Sequence, residues 1–311
     1  MWRKKNMNEV DKKLLHEIVD EDVEQTEVYN IRKNGKCIGR KSNPYIDIVS
    51  KEDGTGIDVY VKENTLFGIV HIPVIVTESG LTDVVYNDFH IGKNSNVVII
   101  AGCGVHNDHD KNATHNGIHR FYVDEHAKVK YVEKHYGEGN GTGKKILNPV
   151  TEIYMKDGSH MTIDTVQIKG VDSTKRETYA KLEENSTLII TEKVMTHGKQ
   201  KAMTDFKVKL KGKNASTHVT SRSVATEESY QEFSSEIIGK TKCYAHVECD
   251  AILKDHGRVK AIPEIYAKDV EANLVHEAAI GKIAGEQLMK LMSLGLTEKE
   301  AEEAIIQGFL K

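Results

Sequence analysis

Asp157-Gly-Ser-His-Met-Thr-Ile-Asp-Thr-Val-Gln-Ile168 decides the reading of this chain. A charged residue and two small or polar ones make a break, and a run with β-branched residues in period-2 alternation follows it, as in a strand. The same arrangement recurs at Glu63-Asn-Thr-Leu66, Lys93-Asn-Ser-Asn-Val97, Glu125-His-Ala-Lys-Val129 and Glu184-Asn-Ser-Thr-Leu188. It returns at Lys213-Asn-Ala-Ser-Thr217, Asp255-His-Gly-Arg-Val259 and Val270-Glu-Ala-Asn-Leu274. With Asn64, Ser95, Ala127, Ser159, Ser186 and Ala215 as markers the gaps are 31, 32, 32, 27 and 29, and Gly257 to Ala272 is 15. A period near 30 that can halve predicts stacked coils with one strand on each of two faces, a β-solenoid. A β-sandwich or jelly roll also repeats strands and turns at such intervals and stays open as the alternative.

The ends of the chain read differently. Residues 8 to about 20 predict a helix, with Asn8 as cap, Asp11 in the first turn and Val10, Leu14, Leu15, Ile18 and Val19 as its apolar stripe. The acidic run Asp20-Glu21-Asp22-Val23-Glu24 is expected to end it. From Ile280 the apolar period becomes 3.6, through Ile283, Ala284, Leu288, Leu291 and Met292, with Gly295 placed as a C-terminal cap. Thr297-Glu-Lys-Glu300 is a capping box for a second short helix that Gly308 stops. The expected organisation is an N-terminal helical arm over 1–30, a β core over 31–276 and a helical region over 277–311.

Composition excludes several classes. Lys and Arg number 43 against 47 Asp and Glu, a net charge of −4, so no global cationic field draws nucleic acid or acidic lipid. Met1-Trp-Arg-Lys-Lys5 is followed by polar sequence and does not read as a signal peptide, and no apolar run is long enough to span a bilayer. A cytoplasmic protein is expected. Four cysteines (Cys37, Cys103, Cys243 and Cys249) are too few for a disulfide framework and read as free thiols, ligands or buried small residues.

On an unbroken strand Cys243 and Cys249 share a face but stand roughly 20 Å apart, so they are no chelating pair. Cys103, His106, Asp108, His109, Asp110, His115 and His119 crowd a Gly/Asn-rich stretch read as a loop, with His126 and His135 beyond. It is rich in ligand-type side chains without a fixed metal spacing. Gly137-Glu-Gly-Asn-Gly-Thr-Gly-Lys-Lys145 lacks the phosphate-loop spacing, so no nucleotide site is expected and the stretch reads as a turn between coils.

Glu248-Cys-Asp-Ala-Ile-Leu253, His276-Glu-Ala-Ala279 with Gly281-Lys-Ile283, Glu286-Gln-Leu288 and Gly295-Leu-Thr-Glu-Lys-Glu-Ala301 before Gly308-Phe309 together resemble the C-terminal core of the SufB/SufD family. Members are scaffolds of iron–sulfur cluster assembly. The resemblance implies a right-handed parallel β-helix flanked by helices and a non-catalytic scaffold that carries a transient cluster. It also implies a sulfur donor and a SufC-like ABC ATPase docking on roughly 278–311, with Gln287, Leu288, Leu291, Leu296 and Phe309 as contact candidates. Cys249 matches the cysteine implicated in holding the nascent cluster; Glu277, beside His276, matches the glutamate proposed to join it. A separation of 28 residues would suit their stacking on successive coils. The chain departs from longer members in lacking a long N-terminal helical region and further C-terminal helix. The family's second cysteine is also replaced around Asp255–Val259. The short form implies a self-dimer through the β-helix. The rival reading is a metalloenzyme using Cys103, His106 and His109 within the 103–135 stretch, and the blandest is a structural solenoid with buried thiols.

Overall fold

The computed structural model describes residues 7–19, 23 and 26–311. Met1–Lys5 and the acidic residues Asp20–Asp22 and Glu24, read above as helix terminators, lie outside them. The chain is mainly β, a parallel β-solenoid of about 8 turns with one helix at its start and two at its end.

Strands are numbered in chain order. One sheet runs β2 (Lys36–Lys41), β1 (Tyr29–Lys33), β5 (Gly68–Val76), β7 (Asn96–His106) and β9 (Lys128–Glu138). It continues as β12 (His160–Lys169), β14 (Thr187–Thr196), β16 (Ser216–Ala225), β18 (Cys243–Leu253) and β20 (Ala272–Gly281). The facing sheet runs β3 (Ile46–Ser50), β4 (Gly56–Val61), β6 (Thr82–Ile91), β8 (Ala113–Val123), then β10 (Lys145–Leu147) with β11 (Val150–Met155). It ends with β13 (Ser173–Leu182), β15 (Lys201–Leu210), β17 (Tyr230–Gly239) and β19 (Arg258–Ala267). Among the described residues only the starting pairs β1–β2 and β3–β4 are antiparallel; they close the first coil.

The repeating break is the corner of each coil. Asn64, Asn94, Asn185 and Asn214 sit there with φ between 52° and 59°, a left-handed conformation that asparagine tolerates better than most residues. Their amides stack from coil to coil: Asn94 Nδ2 donates to Asn64 Oδ1 at 3.2 Å and Asn214 Nδ2 to Asn185 Oδ1 at 3.1 Å. The small residue that follows is buried against the turn. Ser95, Ser159 and Ser186 each donate their Oγ to the carbonyl three residues back at 2.6 Å. The sequence gaps reappear as strand register, with Thr82 beside Thr114, His160 beside Thr187 and Thr187 beside Ser216.

The core lies between the sheets, where Phe89, Phe121, Tyr131, Ile153, Ile190, Phe206 and Val247 interdigitate. Helix α1 (Glu9–Ile18) is capped by Asn8 as expected and lays Leu14 and Ile18 on the outer face of β5, β7 and β9. Gly102 and Gly104 on β7 make room: a Cβ at Gly102 would stand 2.8 Å from the Ile18 Cβ, and one at Gly104 3.2 Å from that of Leu14. At the other end the helical pattern starts later than its period suggested. Ile280 belongs to β20, which runs through Glu277 to Gly281, and α2 covers only Gly285–Ser293. Helix α3 (Glu298–Phe309) follows, with the Thr297–Glu300 capping box in place.

The lumen also holds polar side chains. His119 on β8 is buried, and burial lowers its imidazole to about 4. Its Nδ1 donates to the Tyr131 hydroxyl at 2.7 Å, and its Nε2 accepts from Asn87 at 3.3 Å, an arrangement for the neutral ring. The unfolded chain therefore binds a proton at His119 below about pH 6.5 that the folded chain refuses until about pH 4. Stability should fall by roughly 3 kcal/mol as pH drops through that window. A His119→Gln variant should flatten this part of a denaturant-midpoint versus pH curve; an unchanged slope would overturn the assignment.

Candidate functional site

The last coil is the open end of the solenoid. Among the described residues no strand lies beyond β19 or β20, so each presents one unpaired edge of backbone donors and acceptors. Cys249, His276 and Glu277 all sit at this end.

Alternation on β18 turns Cys243, Ala245, Val247, Cys249 and Ala251 into the lumen and leaves Tyr244, His246, Glu248 and Asp250 outside. Cys249 is only 1% exposed. Its register partners are Ser221 on β16 and Ala278 on β20. His276 pairs with Val247, so it faces the lumen on the same side as Cys249, two residues further back along the edge strand. Both its ring nitrogens are enclosed without a hydrogen-bond partner. Burial first, then His246, lowers its imidazole.

Glu277 does not stack on Cys249. The coil at this point is 29 residues long, as Cys249 beside Ala278 shows, and the separation of 28 sets Glu277 beside Glu248 instead. One residue of register moves a side chain to the other face of a strand. Glu277 thus points outward, with its side chain 66% exposed and Oε2 3.5 Å from His246 Nε2. His246 in turn meets His218 edge to face at 4.9 Å. The thiol and the carboxylate occupy neighbouring strands but opposite faces of the sheet.

Cys249 also ends a polar seam within the lumen. Glu133, Thr165, Glu192, Ser221 and Cys249 occupy one inward row of β9, β12, β14, β16 and β18. Arg176 on β13 reaches across to bond Glu133, and its Nε lies 3.5 Å from Glu192 Oε1. Ser221 and Thr204 donate to Glu192 at 3.0 and 2.9 Å. Burial pushes the Glu133 carboxyl up, but Arg176 and His135 outweigh it and hold the group well below the usual range. At Glu192 burial prevails over Arg176, and the carboxyl is raised. Burial, with Glu192 and Asp250 adding to it, pushes the Cys249 thiol up to about 12. It is a protonated, enclosed thiol while the end coil is in place.

The stretch around residue 106 is mostly strand. Only 107–112 form a loop; Cys103 lies on β7, His115 and His119 on β8, and His135 on β9. Cys103 is buried in the lumen, whereas His106 sits outside near Asp108 (2.8 Å) and Glu138 (3.3 Å), because three residues of strand separate the two onto opposite faces. His109 is in the loop. His115 donates to Asp83 at 2.8 Å. Among the described residues no three His, Cys, Asp or Glu side chains are grouped to hold a metal ion. The glycine run 137–145 packs its turn on this loop, with the Gly141 and Gly143 amides donating to Asn107 and His109 carbonyls.

Sequence reading missed Glu133, Arg176 and Glu192. Their signal was parity: Glu133 follows the inward Val129 and Tyr131 by even steps, and Arg176 precedes Ala180 and Leu182 likewise.

The terminal helices lie beside this end. Helix α3 buries Ala301, and Leu310 follows it into cover; Lys254 on the β18 exit pairs with Glu302, and Arg222 lies 5.9 Å over the Phe309 ring. Phe309 is therefore partly used within the chain. Helix α2 buries nothing: Gln287 is exposed, Leu288, Leu291 and the connecting Leu296 are half-buried, and Met289, Met292 and Leu294 are open to solvent.

Residues 76–309 match the family model described as the SUF system FeS cluster assembly SufBD core domain. An iron–sulfur cluster assembly SufBD family protein of Pyrococcus horikoshii is 31% identical, over 88% of this chain and 84% of its own length. One from Methanocaldococcus jannaschii is 26% identical over 90% and 89%. One from Methanothermobacter thermautotrophicus is 27% identical over 76% of this chain but 57% of its own length.

Proposed function

The chain belongs to the SufBD family of iron–sulfur cluster assembly proteins, and on that premise we propose that it is a non-catalytic scaffold on which a transient cluster is built. The observation that carries the reading is the placement of Cys249 and His276 on one lumen face, with His276 on the unpaired edge strand and Cys249 on the strand next to it. A soft thiolate accepts sulfane sulfur and holds iron, and an unpaired imidazole beside it is a second ligand for the cargo metal. Glu277, on the outer face of the same edge strand, serves as a weak oxygen site for incoming ferrous iron.

The open edges of β19 and β20 favour a second copy as partner. Edge-to-edge pairing satisfies their free backbone groups and brings two Cys249 side chains toward one interface. The exposed apolar residues of α2 favour docking of a SufC-like ATPase, with Gln287, Leu288, Leu291, Leu296 and the free part of Phe309 as its contacts. ATP is used by that partner. Opening the last coil would release the enclosed thiol, which is where the partner's work is needed. No helix among the described residues is long and apolar enough to cross a membrane; the cytoplasm is the proposed location.

The test is anaerobic reconstitution with ferrous iron and sulfide, together with capture of a SufC-like ABC ATPase. Broad visible absorbance and ATPase capture, the latter lost on Leu288→Asp/Met292→Asp, are expected. A protein that stays colourless in the presence of captured ATPase would sink the scaffold reading.

A further inference from the structure

The outer face of the second sheet carries an ordered row that cluster assembly leaves unused. Tyr60, His90, Tyr122 and Tyr154 occupy equivalent positions on β4, β6, β8 and β11. Their rings stack at 4.7, 5.1 and 5.4 Å and lie within 11° of parallel. The same row continues on β13 and β15 as Lys181 and Lys209. Alongside it, where the strands enter their corners, runs an open trough of about 530 Å³.

The charges beside the trough are unequal. Asp124 is paired with Lys156 at 3.0 Å and Glu183 with Lys211 at 2.6 Å. Lys181 and Lys209 have no carboxylate among the described residues; their ammonium groups rest 5.2 to 5.5 Å from the ring centres of Tyr154 and Tyr179. Two cations are therefore left over at one end. Along the rest of the trough, Tyr60 and Tyr122 are exposed, and their hydroxyls make no hydrogen bond among the described residues.

Apart from the outer face of Tyr60, the ring faces are taken up by one another, so along the row a ligand meets edges and hydroxyls, with no gap between rings for a base or a flat cofactor to enter. The free hydroxyls stand two coils apart, about 9.6 Å at the spacing of hydrogen-bonded strands. A polyproline II chain advances about 9.3 Å per turn and has its carbonyls unpaired, so successive turns offer acceptors at nearly that interval. We propose that the trough binds an extended proline-rich segment of a partner protein, with its acidic end at Lys181 and Lys209. The site is independent of the cluster chemistry at the open end.

The probes are fluorescein-labelled peptides of six prolines joined to two glutamates, in both orders, and a Gly/Ser peptide of equal length and charge. Fluorescence anisotropy with the full chain should show the proline peptide binding at least about tenfold more tightly than the Gly/Ser control. Tyr60→Phe/Tyr122→Phe removes only the two hydroxyls and keeps the stack, and should weaken binding about tenfold with the thermal midpoint unchanged. Lys181→Ala/Lys209→Ala should weaken binding and remove most of its salt dependence. Equal affinity for the Gly/Ser peptide, no effect of the double phenylalanine variant, or tighter binding of a twelve-residue oligothymidylate would each overturn the proposal.

Discussion

Cys249→Ser should abolish the iron- and sulfide-dependent visible absorbance, while Glu277→Ala should weaken iron retention without removing the chromophore. The difference follows from the faces of β18 and β20. Cys249 projects into the lumen, and serine there keeps the volume while replacing a soft ligand with a poor one for iron, so the loss should exceed about tenfold. Glu277 projects the other way, beside Glu248 and His246, and cannot join Cys249 on one iron within a single chain. Its removal should raise the concentration of ferrous iron needed for half-maximal assembly by about tenfold, with the final spectrum preserved. Anaerobic titrations of wild type and both variants decide it. Equal and complete loss in both would mean that thiol and carboxylate act on one metal, across two copies or after a register change.

The second large effect is on stability. Arg176→Ala should cost about 3–5 kcal/mol, because it leaves Glu133 and Glu192 as two uncompensated carboxyl groups in the lumen. Hydroxyl donors from Thr204 and Ser221 satisfy part of Glu192, and the Tyr131 hydroxyl donates to Glu133 at 3.0 Å, but the charge of Glu133 is balanced by Arg176 and His135. The triple variant Arg176→Met/Glu133→Gln/Glu192→Gln should recover most of the loss, since desolvating uncharged groups is much cheaper than stranding charges. Chemical denaturation followed by circular dichroism separates these outcomes. A single variant as stable as wild type would show that water reaches the seam.

The fold was legible wherever the corners were regular. Asn64, Asn94, Asn185 and Asn214 mark backbone that must turn left-handed, and their spacing is the coil length. Strands were legible where both parity and composition agreed, as in residues 161–168 of β12, and were harder to see elsewhere. The reason is the seam: Arg176, Thr178 and Thr204 face inward, so β13 and β15 lack the apolar alternation that marks a half-buried strand. The Cys-Asp-Ala-Ile-Leu setting singled out Cys249, and strand parity places its side chain in the lumen. Its relation to Glu277 was not, since 28 and 29 residues are both ordinary coil lengths here and only the register fixes which one applies. The stretch from 103 to 119 looked like a loop because a real loop, 107–112, sits within it and because β8 carries imidazoles, His115 and His119, at inward positions where apolar residues would mark a strand.

The unclosed last coil has a mechanical consequence. Strand β20 leans on β18 and on the facing β17 and β19, and among the described residues no strand lies beyond it along the axis. In such a linear array each unit is held mainly by its nearest neighbour, so the stack can fray from its tip while the remainder stays folded. A lever acting on α2 and α3 would pull at that tip, and peeling one layer suffices to bring the sulfur atom of Cys249 into water. Removing a single rung is far less work than melting the ladder.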